Sequence, residues 1–248
     1  MLTAEQYENE VARLAKEQGK TRNEIVREAL SLFAGFKANP TCIAVRTDEN
    51  WIPTFSGIRY WPTDPRPEDV RLIDVAHHLA NICRFTGATR GHYSVAQHCV
   101  LMSELAAMPD HLRMVALLHD AAEAYTGDFA RPVKYTIPDM NRLDMLNTAA
   151  VEVAFGVKLE PKPPEVRQAD LAMLVAERMQ LLSVRFPMKR AERVRPASVW
   201  IRSWGPEEAK ERYLKRFMAL KLEEYGWQGG GAPEIFEPET ESGGLELR

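Results

Sequence analysis

The run Met114-Val115-Ala116-Leu117-Leu118-His119-Asp120-Ala121-Ala122-Glu123 carries the side chains best suited to chemistry. Strong helix formers lead into an imidazole, a carboxylate and, one turn later, a glutamate. Helical positions i and i+4 share a face, so His119 and Glu123 are expected to point the same way, with Asp120 beside them. Ionisable groups at the end of an apolar helix are costly unless something compensates them. A divalent metal does so for an adjacent His and Asp, because imidazole and carboxylate both donate to it. A buried His–Asp hydrogen bond is the other outcome that the dipeptide alone allows.

Two further segments bear on that choice. Tyr93-Ser94-Val95-Ala96-Gln97-His98 contains a Ser-x-x-Gln capping box that starts a helix and puts His98 on its second turn. Gln168-Ala169-Asp170-Leu171-Ala172-Met173-Leu174 places an aspartate on another apolar helix. His98, His119, Asp120 and Asp170 thus come from three helices, each near an apolar face, and a helix-bundle core is where such ligands converge.

The order His … His-Asp … Asp resembles the signature of the HD-domain metal-dependent phosphohydrolases. The segment His119-Asp120-Ala121-Ala122-Glu123-Ala124-Tyr125-Thr126-Gly127-Asp128-Phe129-Ala130-Arg131-Pro132-Val133-Lys134-Tyr135 is similar to the bacterial 5'-deoxynucleotidase branch, and the similarity runs from about Phe55 to about Met218. The resemblance implies one divalent ion on His98, His119, Asp120 and Asp170. It implies catalytic roles for Asp120 and for Glu123, which orients water or moves a proton. Arg84 and Phe85 match an arginine and an aromatic residue that precede the first metal histidine in that family. Asp128 would bind the sugar 3'-hydroxyl and select deoxyribose. Arg84, with Arg90 or Lys134, would clamp phosphate oxygens, since arginine offers a planar fork of donors. A solvated surface loop is the alternative for the arginines and for His92, and a simple turn aspartate is the alternative for Asp128. The expected reaction removes the 5'-phosphate of deoxynucleoside monophosphates. The alternatives are a deoxynucleoside triphosphate triphosphohydrolase on the same fold, or a regulatory or nucleic-acid-binding HD protein.

All six histidines (77, 78, 92, 98, 111, 119) lie at or before His119. Two-metal members of the superfamily carry extra histidines between the His-Asp pair and the last aspartate, so one metal is expected. Two histidines and two aspartates accept Co, Mn, Zn, Fe, Ni or Mg.

Those ligands need a scaffold, and the chain is long enough for one. Its 248 residues are 45% hydrophobic and 27% charged, the composition of a soluble globular domain with appendages. No apolar run approaches the roughly 20 residues of a membrane span, and the start lacks a signal-peptide pattern. Cys42, Cys83 and Cys99 form no Cys-x-x-Cys pair, and a reduced cytoplasmic protein is the simplest reading. The net charge of −3 is concentrated in residues 229–248, which hold five Glu and one Arg. The nearly neutral remainder gives no support for bulk electrostatic binding to nucleic acid.

The expected architecture is mainly α: a helical bundle of the HD type, with a small β-hairpin before the core and an added N-terminal helical hairpin. Residues 1–40 form that hairpin, from the capping boxes at Thr3 and Thr21 and the stripe Ile25, Val26, Ala29, Leu30, Phe33. It serves packing or dimerisation, giving a homo-oligomer, or contacts nucleic acid through Lys20, Arg22 and Arg27. Residues 41–227 form the phosphohydrolase domain, and 228–248 a flexible acidic tail. Within the domain a hairpin is expected (Trp51–Phe55 with Ile58–Trp61). Helices are expected over Val70–Phe85, from Asp110 as N-cap through the His119 run, over Asn141–Val157 and Glu165–Leu182, and from Pro206. His77 and His78 are read as polar-face residues and His111 as exposed. Glu177, seven residues after Asp170, is read as a salt-bridge partner, with an orienting role toward the ligands as the alternative.

Overall fold

The computed structural model describes residues 46–184 and 193–224, together with residues 13, 16, 17 and 19. The chain divides into two units, Met1–Val45 and Arg46–Arg248, and every candidate site residue belongs to the second. Those four residues apart, the predicted N-terminal hairpin lies outside the described residues, as does the acidic tail.

The second unit is mainly helical, with a small antiparallel hairpin ahead of the helical core, as the sequence predicts. Strands β1 (Ile52–Pro53) and β2 (Arg59–Tyr60) pair with Ile52 opposite Tyr60. They are shorter than the predicted strands because the intervening turn is anchored from outside. The buried Asp74 accepts from the Ser56 amide (2.6 Å) and hydroxyl (2.8 Å), and Gly57 supplies the positive φ (80°) that the turn needs. Tyr60 stacks on Tyr125 and donates to the buried Asn147 at 2.7 Å, fixing the hairpin to the helices beneath.

Helix α1 (Leu72–Asn81) buries Asp74, Val75, Ala76, Leu79 and Ala80, rows spaced by four residues on one face. It is shorter than the predicted Val70–Phe85. The chain turns extended at Ile82, pairs Cys83 with Ser94 in an isolated antiparallel bridge, and closes a loop over residues 84–93. Helix α2 (Val95–Glu104) follows, capped by Ser94, whose hydroxyl accepts from the Gln97 amide. The Gln97 side chain does not return to the cap. It donates to Arg202 O and accepts from the Trp204 amide, so the segment leading into the last helix is pinned to α2. Residues 95–103 of α2 are all buried, which makes it the central helix of the core.

Helix α3 (Arg113–Leu118) starts later than predicted. Asp110 does not cap it and accepts instead from Arg113 Nε. Two short helices follow, α4 (Glu123–Thr126) and α5 (Arg131–Lys134), then the long α6 (Pro138–Phe155) and α7 (Pro164–Leu181). Pro164 occupies the first turn of α7, where its missing N–H is harmless. Helix α8 (Pro206–Glu224) lays Ala209, Tyr213, Phe217 and Leu220 against α1, α2 and α3. The hydroxyl of Tyr213 donates to Leu117 O (3.1 Å), satisfying a carbonyl in the last turn of α3. No helix among the described residues is long and apolar enough to cross a membrane.

Candidate metal centre

The helix carrying the chemistry does not run through its key residues. Helix α3 ends at Leu118, and the next backbone bonds close over three residues: Ala121 N to Leu118 O, Glu123 N to Asp120 O, Ala124 N to Ala121 O, Tyr125 N to Ala122 O. At three residues per turn, positions i and i+3 eclipse. The partner that shares a face with Glu123 is therefore Asp120, where α-helical spacing pointed to His119. The charge of Asp120 accordingly acts on Glu123.

Four predicted ligands meet here. His98 Nε2 lies 3.4 Å from His119 Nε2, 3.5 Å from Asp170 Oδ1 and 4.0 Å from Asp120 Oδ2. His119 Nε2 lies 3.0 Å from that same Asp120 oxygen. His98 comes from α2, the His119-Asp120 pair from the turn after α3, and Asp170 from α7. His98, His119 and Asp170 form a group that could hold a metal ion, and Cys99, His119 and Asp120 form a second that overlaps it.

The tautomers strengthen the case for a cation. His119 Nδ1 donates to Ala116 O at 2.7 Å, since a carbonyl can only accept. His98 Nδ1 donates to Glu177 Oε1 at 2.6 Å. With those protons placed, both Nε2 atoms of the neutral rings present bare lone pairs toward each other and toward two carboxylates. Acceptors alone do not satisfy one another at such distances, so a positive charge among them would stabilise the cluster. A metal fits this donor set, and the Glu177–His98 and Ala116–His119 bonds are the outer contacts that orient ligating imidazoles. Without a metal a proton takes that place. Burial and Arg84 disfavour charge on His98, yet Glu177 and Asp170 outweigh them and raise it to about 8.

Around this centre the other carboxyls diverge. Burial opposes ionisation of Asp120, but His119 and Lys162 hold it well below the usual carboxylate range. Asp170 is likewise lowered against burial, chiefly by His98. Glu123 goes the other way: burial first, then Asp120 and Asp128, push its carboxyl well above the ordinary value. One of its oxygens, Oε2, is buried with no hydrogen-bond partner, while Oε1 lies 3.5 Å from Lys134 Nζ.

Glu177 is the salt-bridge partner expected of it, and it also contacts His98. It bonds His98, forms an ion pair with Arg84 Nη2 at 3.0 Å, and accepts from Tyr93 OH at 2.8 Å, fully buried. Arg84 is thereby fixed beside the centre, its Nη1 3.9 Å from Asp120 Oδ2 and its buried Nε without a partner. Its guanidinium stands 5.7 Å from the Phe85 ring, and Phe85 and Thr86 both adopt left-handed backbone (φ 54° and 51°). For side chains with a Cβ this conformation is strained, and such strain concentrates at functional loops.

The remaining predicted residues divide. Lys134 lies beside Glu123, its Nζ 3.5 Å from Glu123 Oε1 and 3.0 Å from Asp144 Oδ2. Asp128 is half-buried after the Gly127 turn (φ 83°), raised by burial and within the field of Arg84, Asp120 and Lys134. Arg90 is not brought to the centre. It is exposed and donates to Gln180 O at 2.7 Å, closing the end of α7. His92 bonds Ala80 O and Cys83 and holds the loop shut. His78 is a strut as well as a half-buried helix residue: Nε2 accepts from the Phe55 amide and Nδ1 donates to Ala124 O, so hairpin, α1 and α4 are tied together. His77 stacks on Phe55.

Three contributors escape a reading of the sequence. Tyr93 and Cys99 flank the His98 turn but carry no spacing signal. Lys162, whose Nζ lies 3.6 Å from Asp120 Oδ1, comes from the proline-rich connector before α7. A lysine framed by Pro161 and Pro163, eight residues ahead of a ligand, was the one available hint.

No family model matches the chain. It is similar to two curated proteins, both described as uncharacterized. One, from Rhodobacter capsulatus, is 36% identical over 186 residues, covering 68% of this chain and 95% of that protein. The other, YfdR of Escherichia coli, is 39% identical over 132 residues, covering 53% of this chain and 72% of its own length.

Proposed function

We propose, for a chain that belongs to the family of YfdR and its Rhodobacter capsulatus relative, the activity of a metal-dependent phosphohydrolase of the HD type. It removes the 5'-phosphate of deoxynucleoside monophosphates to leave nucleoside and inorganic phosphate. The observation that carries this reading is the meeting of His98, His119, Asp120 and Asp170 from three separated segments, with Glu123 raised and half-satisfied beside them.

His98, His119, Asp120 and Asp170 would hold the ion, and Glu177 would keep the His98 ring in its ligating orientation. A divalent ion held by these residues would acidify water and neutralise phosphoryl charge. Glu123, whose Oε2 has no partner, would orient the attacking water and, once a bound ion offsets the Asp120 charge that helps keep it protonated, accept that water's proton as the P–O bond forms. The proton then passes to the departing nucleoside 5'-oxygen as that bond breaks. Arg84, fixed by Glu177, presents its remaining donors to phosphate oxygens. Asp128 accepts from the sugar hydroxyl and Phe85 packs on the nucleoside. The ion would be one of the first-row metals or Mg, which this donor set accepts. Such a nucleotide substrate fits a cytoplasmic protein.

The test is phosphate release from a panel of deoxynucleotides, with each metal in turn. Glu123→Gln is expected to lower the rate by about 10²–10⁴-fold with metal content unchanged. Full activity in that variant would remove the assigned role, and triphosphate as the released product would favour the triphosphohydrolase reading.

A further inference from the structure

Of the cations around the centre, two are already engaged. Arg84 is locked to Glu177 at 3.0 Å, and Lys134 is 3.0 Å from Asp144. The third, Lys162, has a half-buried stem. Among the described residues its ammonium makes one ion pair, a loose contact of 3.6 Å to Asp120 Oδ1. That oxygen faces away from the histidines: it is Oδ2 that lies 3.0 Å from His119 and 3.9 Å from Arg84. Lys162 and Arg84 therefore approach the Asp120 carboxylate through different oxygens. The Lys162 backbone is itself restrained, flanked by prolines and with its amide donating to Glu160 Oε2 at 3.0 Å. An ammonium carries three donors, and a single 3.6 Å contact leaves that capacity largely unused beside the Asp120 carboxylate.

We infer that Lys162 is a substrate-binding residue that donates to an oxygen of the phosphoryl group, opposite Arg84, in the role that the sequence offered to Arg90. The inference rests on the phosphohydrolase reading for the identity of the anion. Arg90 cannot serve where it stands, because its guanidinium closes the end of α7 on Gln180 O. Lys162 has what that task needs: a positive charge, a stem partly shielded from water, and donors free to leave a weak partner for a stronger one. A compact ammonium on a flexible stem suits a point contact to one oxygen, which complements the planar fork of Arg84.

The experiment titrates inorganic phosphate into the metal-loaded full chain by calorimetry, for wild type, Lys162→Met and Lys162→Arg. Metal content and melting temperature are measured on each sample. Lys162→Met keeps the stem, so metal stoichiometry and melting temperature are expected to hold while phosphate affinity falls about tenfold or more, the effect of losing a charge-assisted bond. Lys162→Arg is expected to retain most of the affinity. Lys162→Gln substitutes for the Met variant if that one does not fold. Unchanged phosphate affinity in the Met variant overturns the inference, as does absence of phosphate binding by the loaded wild type. Loss of metal in the Met variant also overturns it, because Lys162 would then be a tether for Asp120. A wild type that binds phosphate through Lys162 yet releases none from any nucleotide would end the nucleotidase reading and leave this one standing.

Discussion

The Nε2 atoms of His98 and His119 face each other at 3.4 Å, and each ring's other nitrogen is committed as a donor, to Glu177 and to Ala116 O respectively. Two bare lone pairs backed by Asp120 and Asp170 make a cluster that a bound cation would stabilise. The consequences of that one relationship can be measured.

Chelation should destabilise the fold. Any ion that binds the native site and not the unfolded chain adds RT ln(1 + [L]/Kd), about 2.7 kcal/mol at a hundredfold excess over Kd. For a folded unit of this size that corresponds to a rise of several degrees in melting temperature on adding metal back. A melting curve that ignores both chelator and metal would argue against the centre.

Glu177→Ala should be among the most damaging single changes outside the ligands. It strips Arg84 of its buried partner, and leaving one member of a buried ion pair uncompensated costs about 3–5 kcal/mol. Glu177→Gln keeps the shape and should fold better, yet it weakens the bond that orients His98, with an expected loss of about 10–100-fold in metal affinity. Denaturant unfolding separates the first effect and metal titration the second. Equal metal affinity for wild type and the Gln variant would leave Glu177 a structural ion-pair partner alone.

The metal-free protein should lose stability as pH rises through the neutral range. His98 is near 6.5 when unfolded and is raised to about 8 in the fold, so its proton stabilises the native state fully below 6.5. That contribution, on the order of 2 kcal/mol, disappears as pH climbs through 8. A metal displaces the same proton, so the loaded protein should lack this slope and metal affinity should grow with pH over that window. Melting temperatures of both forms, taken at about pH 6.5 and about two units higher, test it; parallel behaviour would contradict the assignment. At low pH the sign reverses, because Asp170 and Glu177, both depressed, must take up protons and their contribution is lost.

Arg90→Ala should leave metal binding and phosphate affinity near wild type and lower stability by less than about 1 kcal/mol, as expected for an exposed bond to a helix-end carbonyl. Arg84→Ala, in contrast, should abolish measurable phosphate binding. Comparable losses from the two substitutions would return Arg90 to the site.

Much of this was legible in the residues. The strand alternation and the Ser56-Gly57 turn marked the hairpin, and Ser94 with Gln97 marked the start of α2, because turns and caps are local chemistry that a short window contains. Where the boundaries moved, a tertiary contact moved them. Helix α1 stops early because residues 83–94 close into a loop. The helix of the His119 run breaks at Leu118, with Tyr213 satisfying a carbonyl of its last turn. That break turned Glu123 from a neighbour of His119 into the eclipsed partner of Asp120.

By themselves, the residue types and their order determined that two imidazoles and two carboxylates on apolar helices would need one another, since each is costly to bury alone. Only the tertiary structure decided which charges accompany them. It removed Arg90 to a helix end, brought Lys162 in from the connector, and made Glu177 the link between His98 and Arg84. The reason is physical: periodicity reports which face of an element is buried. The partner that neutralises a charge comes from another part of the chain, and its approach is set by how the helices pack.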